Sequence, residues 1–298
     1  MEYSLHFVLA LLGAASLAGF FGALLGVGGG VFIVPVMVLM FHLPMKVAVA
    51  ASIVSVIATS NAGGSSYVEQ RITNLKLAMF LEIATTVGAL SGALLAIYLQ
   101  QWLMLIIFSG MLAYMSYAAF ATRNLDDRKI ASGEFAKAGQ DRLSRYLDLH
   151  GSYHDLAANR EVEYVINGVP TGATISYLAG LASGMLGVGG GVLKVSAMNR
   201  YMNVPMKVAV GTSKLMIGVT AAVSSILFFL AGLIHFSVVA PVALGTTIGA
   251  TIGTTVMNRL HSAKLKWIFT VLMAYLAYGM LAKGLELKFG IHLPSLGA

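Results

Sequence analysis

Lys194, Lys214 and Glu82 stand inside stretches that are otherwise apolar enough to be membrane. A lysine in the middle of a membrane segment costs about 2.5–3.5 kcal/mol on insertion scales. It therefore needs a bound anion, a carboxylate, or an interface reached by snorkelling. Lys194 lies three residues past a glycine run, Gly189, Gly190 and Gly191, and a second run, Gly28, Gly29 and Gly30, lies in the first half. Each glycine costs about 1 kcal/mol relative to alanine in a helix, so three in succession oppose a continuous one. Broken backbone at membrane depth is tolerated where protein buries it or where it lines a wet cavity. The helix that restarts after such a break offers free N–H groups and a positive dipole end, which bind anions. These residues point to recognition of a small anion, with Ser52, Asn199, Thr212 and Ser213 contributing polar groups and Lys194 and Lys214 charge. Glu82 reads as a proton carrier or as counter-ion to a lysine; the plainer reading is a structural ion pair, or an interfacial position near Lys76.

The elements that must hold these residues come in duplicate. A shift of 161 positions superimposes Gly26-Val-Gly-Gly-Gly-Val31 on Gly187-Val-Gly-Gly-Gly-Val192, and Pro44-Met-Lys-Val-Ala-Val49 on Pro205-Met-Lys-Val-Ala-Val210. Between positions 26 and 52, 15 of 27 residues are identical to their counterparts. The register persists through Gly88, Ala89 and Gly92, which match Gly249, Ala250 and Gly253, to Tyr114 and Tyr117, which match Tyr275 and Tyr278. Paired interruptions at corresponding positions of two halves are the sequence mark of a transport site. The second half adds polarity: Lys194 stands where the first has Ile33, Asn199 where it has Val38, Thr212 where it has Ala51, and Lys214 where it has Ile53.

Composition decides the solvent. Of 298 residues, 58% are hydrophobic and 10% charged, against about 25% charged in soluble domains. So few charges exclude an ordinary soluble enzyme. Fifteen of the 31 charged residues fall within 123–170, so the chain divides into a first transmembrane repeat (1–122), a polar linker (123–170) and a second repeat (171–298). The absence of cysteine excludes thiolate metal sites and cysteine nucleophiles. In the linker, His150 and His154 stand four apart between Asp148 and Asp155, a conceivable metal face. Gly151 weakens the helix this would need, and the segment reads as solvated linker with no metal. The net charge of +7 reflects loop placement, not nucleic-acid binding.

Stretches at 5–25, 45–66, 74–99 and 103–121, with counterparts at 171–186, 206–231, 236–257 and 265–287, approach or exceed the length of a span. Those at 31–42 and 192–203 are short and either cross or re-enter. If they cross, basic residues divide 14 to 3 between the two faces; if they re-enter, 11 to 6. The sharper asymmetry favours crossing. The expected fold is an all-α polytopic membrane protein of two inverted repeats, each with five crossings including a short broken helix. It has eight long transmembrane helices, both termini outside and a cytoplasmic linker.

The doubled pattern Gly-Val-Gly-Gly-Gly, a short apolar helix, then Pro-x-Lys-x-Ala-x-x-x-Ser resembles the sulfite exporter TauE/SafE family, also described as toluene sulfonate uptake permeases. The resemblance implies an inner-membrane carrier associated with sulfite, thiosulfate and organosulfonates such as sulfoacetate. It carries over to Gly26, Gly28, Gly29, Gly30, Pro35, Pro44 and Ser52, and to Gly187, Gly189, Gly190, Gly191, Pro205, Thr212 and Ser213. Ser196, where a proline like Pro35 is expected, and Lys214, where a neutral residue is commoner, depart from the pattern.

The function expected is secondary transport of a small sulfur-containing anion across the inner membrane by alternating access. An anion channel, or an uptake permease for another small organic anion, is the alternative. Proton or sodium coupling is open, with Glu82 the candidate for protons. No catalytic constellation, cofactor or nucleic-acid partner is expected.

Overall fold

In the computed structural model, residues 4–24, 29–69, 72–121, 135, 139–155, 160–257 and 262–291 are described. Eleven helices and one hairpin occur among them. The first repeat supplies α1 (Leu5–Leu24), α2 (Gly30–Leu39), α3 (Met45–Glu69), α4 (Leu75–Tyr98) and α5 (Gln101–Ala121). A short α6 (Arg142–Tyr146) and the strands β1 (His150–Asp155) and β2 (Arg160–Val165) follow. The second repeat supplies α7 (Val169–Leu186), α8 (Gly191–Tyr201), α9 (Met206–Leu230), α10 (Phe236–Met257) and α11 (Ser262–Phe289). Four stretches are long and apolar enough to cross a membrane: Leu5–Ala23, Leu75–Tyr98, Met206–Leu230 and Phe236–Thr254. The other four segments expected to span form the helices α3, α5, α7 and α11, with Met45–Ser60 and Gln101–Tyr117 as shorter apolar stretches. At 10 and 11 residues, α2 and α8 are each only about 15 Å long.

The long helices are apolar on both faces, for different reasons. On α4, Leu77, Ala78, Leu81, Ala89, Ala93 and Ala96 are buried, while Met79, Ile83, Val87, Leu90 and Leu94 are exposed. On α10, Leu244, Ile248 and Ile252 form a similar exposed stripe at helical spacing. An exposed surface this apolar suits lipid and not water.

The two repeats exchange partners. In the first, α1 packs along α10 of the second, while α4 packs along α7, and α5 and α3 pack against their own counterparts α11 and α9. Small residues make the cross-repeat contacts close. A Cβ on Gly88 or Gly92 would collide with the carbonyl oxygen of Tyr177 or Leu181, and one on Gly249 or Gly253 with that of Ser16 or Phe20. These four collisions are the same two contacts displaced by 161 residues at both partners.

Contact order along each pair fixes helix direction. Residue numbers rise together in α4 and α7, and likewise in α1 and α10. They also rise together in α4 and α9, where Asn74 meets Thr212 and Glu82 meets Thr220. In contrast, α5 and α11 are antiparallel: Ser116 bonds to Thr270, while Gly284 faces Trp102 and Leu105. The short α2 runs back along α1, with Phe41 against Phe7 and Phe32 against Phe21.

The linker differs from the solvated segment expected of its charge. The antiparallel hairpin pairs His150 with Val165 and Asp155 with Arg160. Strand alternation sends Tyr153, Val162 and Tyr164 to one buried face. There they join Phe135, Leu149 and Ile166 in a core shared with Leu77 and Leu81 of α4, Met198 of α8, Met202 just beyond it, and Val208 and Met216 of α9. The fold is therefore helical with a small strand element, not all-α. His150 and His154 lie on a strand, and no three His, Cys, Asp or Glu residues are gathered to hold a metal among the described residues.

Candidate functional site

The second glycine break is built from left-handed backbone. Gly187 ends α7 at φ 71°, Gly189 follows at φ 78°, and Gly190 precedes α8 at φ 64°. Side chains rarely adopt this region, so glycine is required. No side chain caps the first turn of α8. In the first repeat, Gly29 precedes α2 in ordinary helical backbone, φ −63°, so the two breaks are not conformational copies. Gly26 and Gly28 lie outside the described residues. The breaks meet: a Cβ on Gly30 would stand 2.5 Å from the Gly187 carbonyl oxygen and 2.8 Å from Ser52 Oγ.

Lys194 projects from the first turn of α8 and has no exposed surface. Its ammonium donates to Thr220 Oγ1 at 2.9 Å, on α9, and Thr220 Oγ1 lies 2.8 Å from Glu82 Oε1, on α4. Thr85 donates to Glu82 Oε2 at 3.0 Å and Thr86 to Oε1 at 3.2 Å, from the next turn of α4. The carboxylate thus sits in a cradle of three hydroxyls, one of which joins it to the lysine. A charge so deeply buried is held by a partner of opposite sign together with hydrogen bonds. Glu82 is linked to Lys194 through Thr220, whereas Lys76 pairs with Asp148 at 2.8 Å.

The symmetry-related position carries neither charge. A shift of 161 residues takes Lys194 to Ile33, Thr220 to Thr59 and Glu82 to Ala243, while Thr85-Thr86 become Thr246-Thr247. Ile33 is fully buried, and the hydroxyls of Thr59, Thr246 and Thr247 bond back to their own helices. The sequence singled out Lys194 and Glu82 but missed Thr220, Thr85 and Thr86. Hydroxyls retained at both repeat positions were the signal that could have found them.

The remaining expected site residues surround the breaks. Ser52 Oγ donates to Gly187 O at 2.7 Å, so a serine of the first repeat holds the turn of the second. Ser213 Oγ reaches Gly191 O at 3.4 Å. The neighbouring Thr212 Oγ1 accepts the backbone N–H of Asn74 at 3.1 Å, tying α9 to the start of α4. Asn199 donates to Val204 O at 3.0 Å across the turn that ends α8. Lys214 is half-buried on α9. Ser52 and the glycine turns thus lie together, while Asn199 and Thr212 lie toward the linker end of their helices.

That linker end is organised by Asn74. Its side chain caps α4 by accepting from Leu77 N, and donates to Tyr164 Oη at 3.1 Å. Burial pushes the Tyr164 phenol up from its ordinary pKa, against the opposing effect of the Asn74 bond. On the exposed side, the Lys76 hydrogen bond and the neighbouring His150 hold the Asp148 carboxyl below the usual carboxylate range.

The family model described as Sulfite exporter TauE/SafE matches residues 11–280. A probable membrane transporter protein of Bacillus subtilis (strain 168), YunE, is 21% identical over 285 residues, covering 93% of this chain and 98% of its own. A second from the same strain, YdhB, is 25% identical over 259 residues, covering 87% and 91%. A probable membrane transporter protein of Xylella fastidiosa (strain 9a5c) is 21% identical over 258 residues, covering 86% and 87%. No solved structure matches. With its apolar helices and doubled glycine breaks, the chain is a multi-pass membrane transporter and belongs to the sulfite exporter TauE/SafE family.

Proposed function

We propose that the chain is a secondary transporter for a small sulfur-containing anion such as sulfite, thiosulfate or an organosulfonate, working by alternating access across the inner membrane. The observation that carries this reading is Lys194, a fully buried cation on the first turn of a broken helix, held where the two repeats meet. A positive side chain and a helix N-terminus at one place favour a negative ligand.

In the membrane, the repeats are inverted and each crosses five times. Antiparallel α5 and α11 support this, because a two-fold axis lying in the membrane plane reverses a helix relative to its own counterpart. The parallel course of α4 and α9 supports it too, as the third helix of one repeat and the fourth of the other then run the same way. The retrograde path of α2 along α1 favours a short crossing over re-entry. The linker is cytoplasmic, where its charges join the larger basic excess. The exchange of α1 and α4 between repeats makes each moving unit a composite of both repeats.

Purified protein in proteoliposomes should show saturable counterflow of at least one of labelled sulfite, thiosulfate, sulfoacetate or taurine. Lys194→Met should lower that flux by about 10- to 150-fold, given that one charged contact is worth about 1.5–3 kcal/mol. Absence of saturable flux with all four would sink the reading.

A further inference from the structure

The lysine that would bind the anion already has a negative partner. Lys194 reaches Thr220, Thr220 reaches Glu82, and Thr85 and Thr86 complete the carboxylate's shell. The surrounding elements carry other titratable groups: Tyr177 on α7, Arg200 and Tyr201 on α8, Lys207 and Lys214 on α9, and His150 beside the start of α4. Lys194 is the cation that Thr220 links to Glu82. An anion arriving at Lys194 therefore meets a carboxylate in possession of the same cation. In a site of low dielectric two negative charges do not share one ammonium, because repulsion and desolvation both favour neutralising one of them.

We infer that the anion displaces Glu82 from Lys194 and that Glu82 takes up one proton as it does so. The site then binds a monoanion together with one proton. Empty, it holds an ammonium and a carboxylate; loaded, an ammonium, a neutral carboxyl and the anion. Net charge is zero in both states. A chain that moves this site across the membrane moves no net charge with a monoanion, whereas a dianion leaves one uncompensated negative charge. A monoanionic sulfonate or hydrogen sulfite is therefore the preferred class over thiosulfate or sulfoacetate. The repeat supplies a second, independent observation. At the pseudo-equivalent position Ile33 replaces the lysine and Ala243 the glutamate, so both charges are missing together. Interdependent charges behave this way, and the stoichiometry becomes one anion and one proton per chain.

This inference rests on the anion-binding reading of Lys194, and one experiment separates the two. Methanesulfonate, a permanent monoanion with no titration of its own near neutrality, is added to the purified full chain in weak buffer. Bound anion and proton uptake are then measured from pH 5 to pH 9. One proton should be taken up per methanesulfonate bound wherever Glu82 is ionised in the empty site, and affinity should fall about tenfold per pH unit across that range. Sulfoacetate should bind at least about tenfold more weakly than methanesulfonate. Glu82→Gln should bind methanesulfonate with flat pH dependence and no proton uptake. Binding by the unaltered chain without proton uptake and with flat pH dependence overturns this inference and leaves the transporter reading standing. Retention of the tenfold slope in Glu82→Gln overturns it too. Failure of methanesulfonate, sulfite, thiosulfate and sulfoacetate to bind at any pH overturns the anion site itself. The proton count on the unaltered chain needs no variant, so misfolding of Glu82→Gln leaves the test intact.

Discussion

A lysine with no exposed surface is a costly residue to keep inside an apolar bundle, and its cost depends on what stands beside it. Lys194 is fully buried and Glu82 half-buried. Removing one member of a buried pair typically costs about 3–5 kcal/mol, because it strands the other, whereas replacing both with apolar or neutral groups is often nearly neutral. Glu82→Gln strands the more deeply buried partner and should destabilise by about that amount. Lys194→Met strands a carboxylate that keeps its three hydroxyl donors, and should cost less. The double variant should regain at least half of the larger loss. Thermal or denaturant unfolding of the three purified variants measures this, and strictly additive losses would show that the two charges are not coupled. The two charged residues were legible in the sequence because charge is rare in an apolar span. Their threonine partners were not, since Thr220 lies 138 positions from Glu82 and hydroxyls are common in membrane helices.

At the scale of elements, close helix approach is set by glycine and threonine, as expected where lipid and side chain are equally apolar. Gly88 and Gly92 face the α7 backbone and Gly249 and Gly253 the α1 backbone, whereas a Cβ on Gly13 or Gly110 would meet nothing within 4 Å. Gly88→Ala and Gly249→Ala should each destabilise by about 1–3 kcal/mol, the usual cost of overpacking. Gly13→Ala and Gly110→Ala should instead stabilise by about 0.5–1 kcal/mol through better helix propensity. Unfolding measurements on the four variants should split them into these two groups; equal effects would contradict the packing described. Several elements could be read from sequence: the glycine breaks, the two short helices and the repeat register are local. The partner of each long helix was hidden, because a helix apolar on every face does not announce which face packs. The hairpin was hidden for the opposite reason. Its charges, such as Glu161 and Glu163, mask alternate positions Val162 and Tyr164 that bury on one face.

At the scale of the molecule, the contacts sort the loops into two ends. Asn74, the hairpin and Asn203 gather at one, where Asn203 donates to Phe135 O and Val165 O at 3.0 Å each. At the other, Lys46 donates to Ile97 O, Lys283 donates to Val38 O, and Lys288 stands 3.8 Å from the Trp102 ring centre. Inverted repeats with short crossing helices place the first group in the cytoplasm and the second outside, and put the turn after α9 outside as well. Parallel repeats with re-entrant short helices would return that same turn to the cytoplasm, beside the linker. Ala231 lies in the turn and is exposed, and Tyr146 lies in the linker and is 85% exposed. The chain contains no cysteine, so single cysteines can be introduced without background. Ala231→Cys should react with a membrane-impermeant maleimide in intact cells, and Tyr146→Cys only after permeabilisation. Labelling of both from one side would overturn the inverted arrangement. With it would go the Thr220–Glu82 contact, because α9 and α4 could then no longer run parallel across the bilayer.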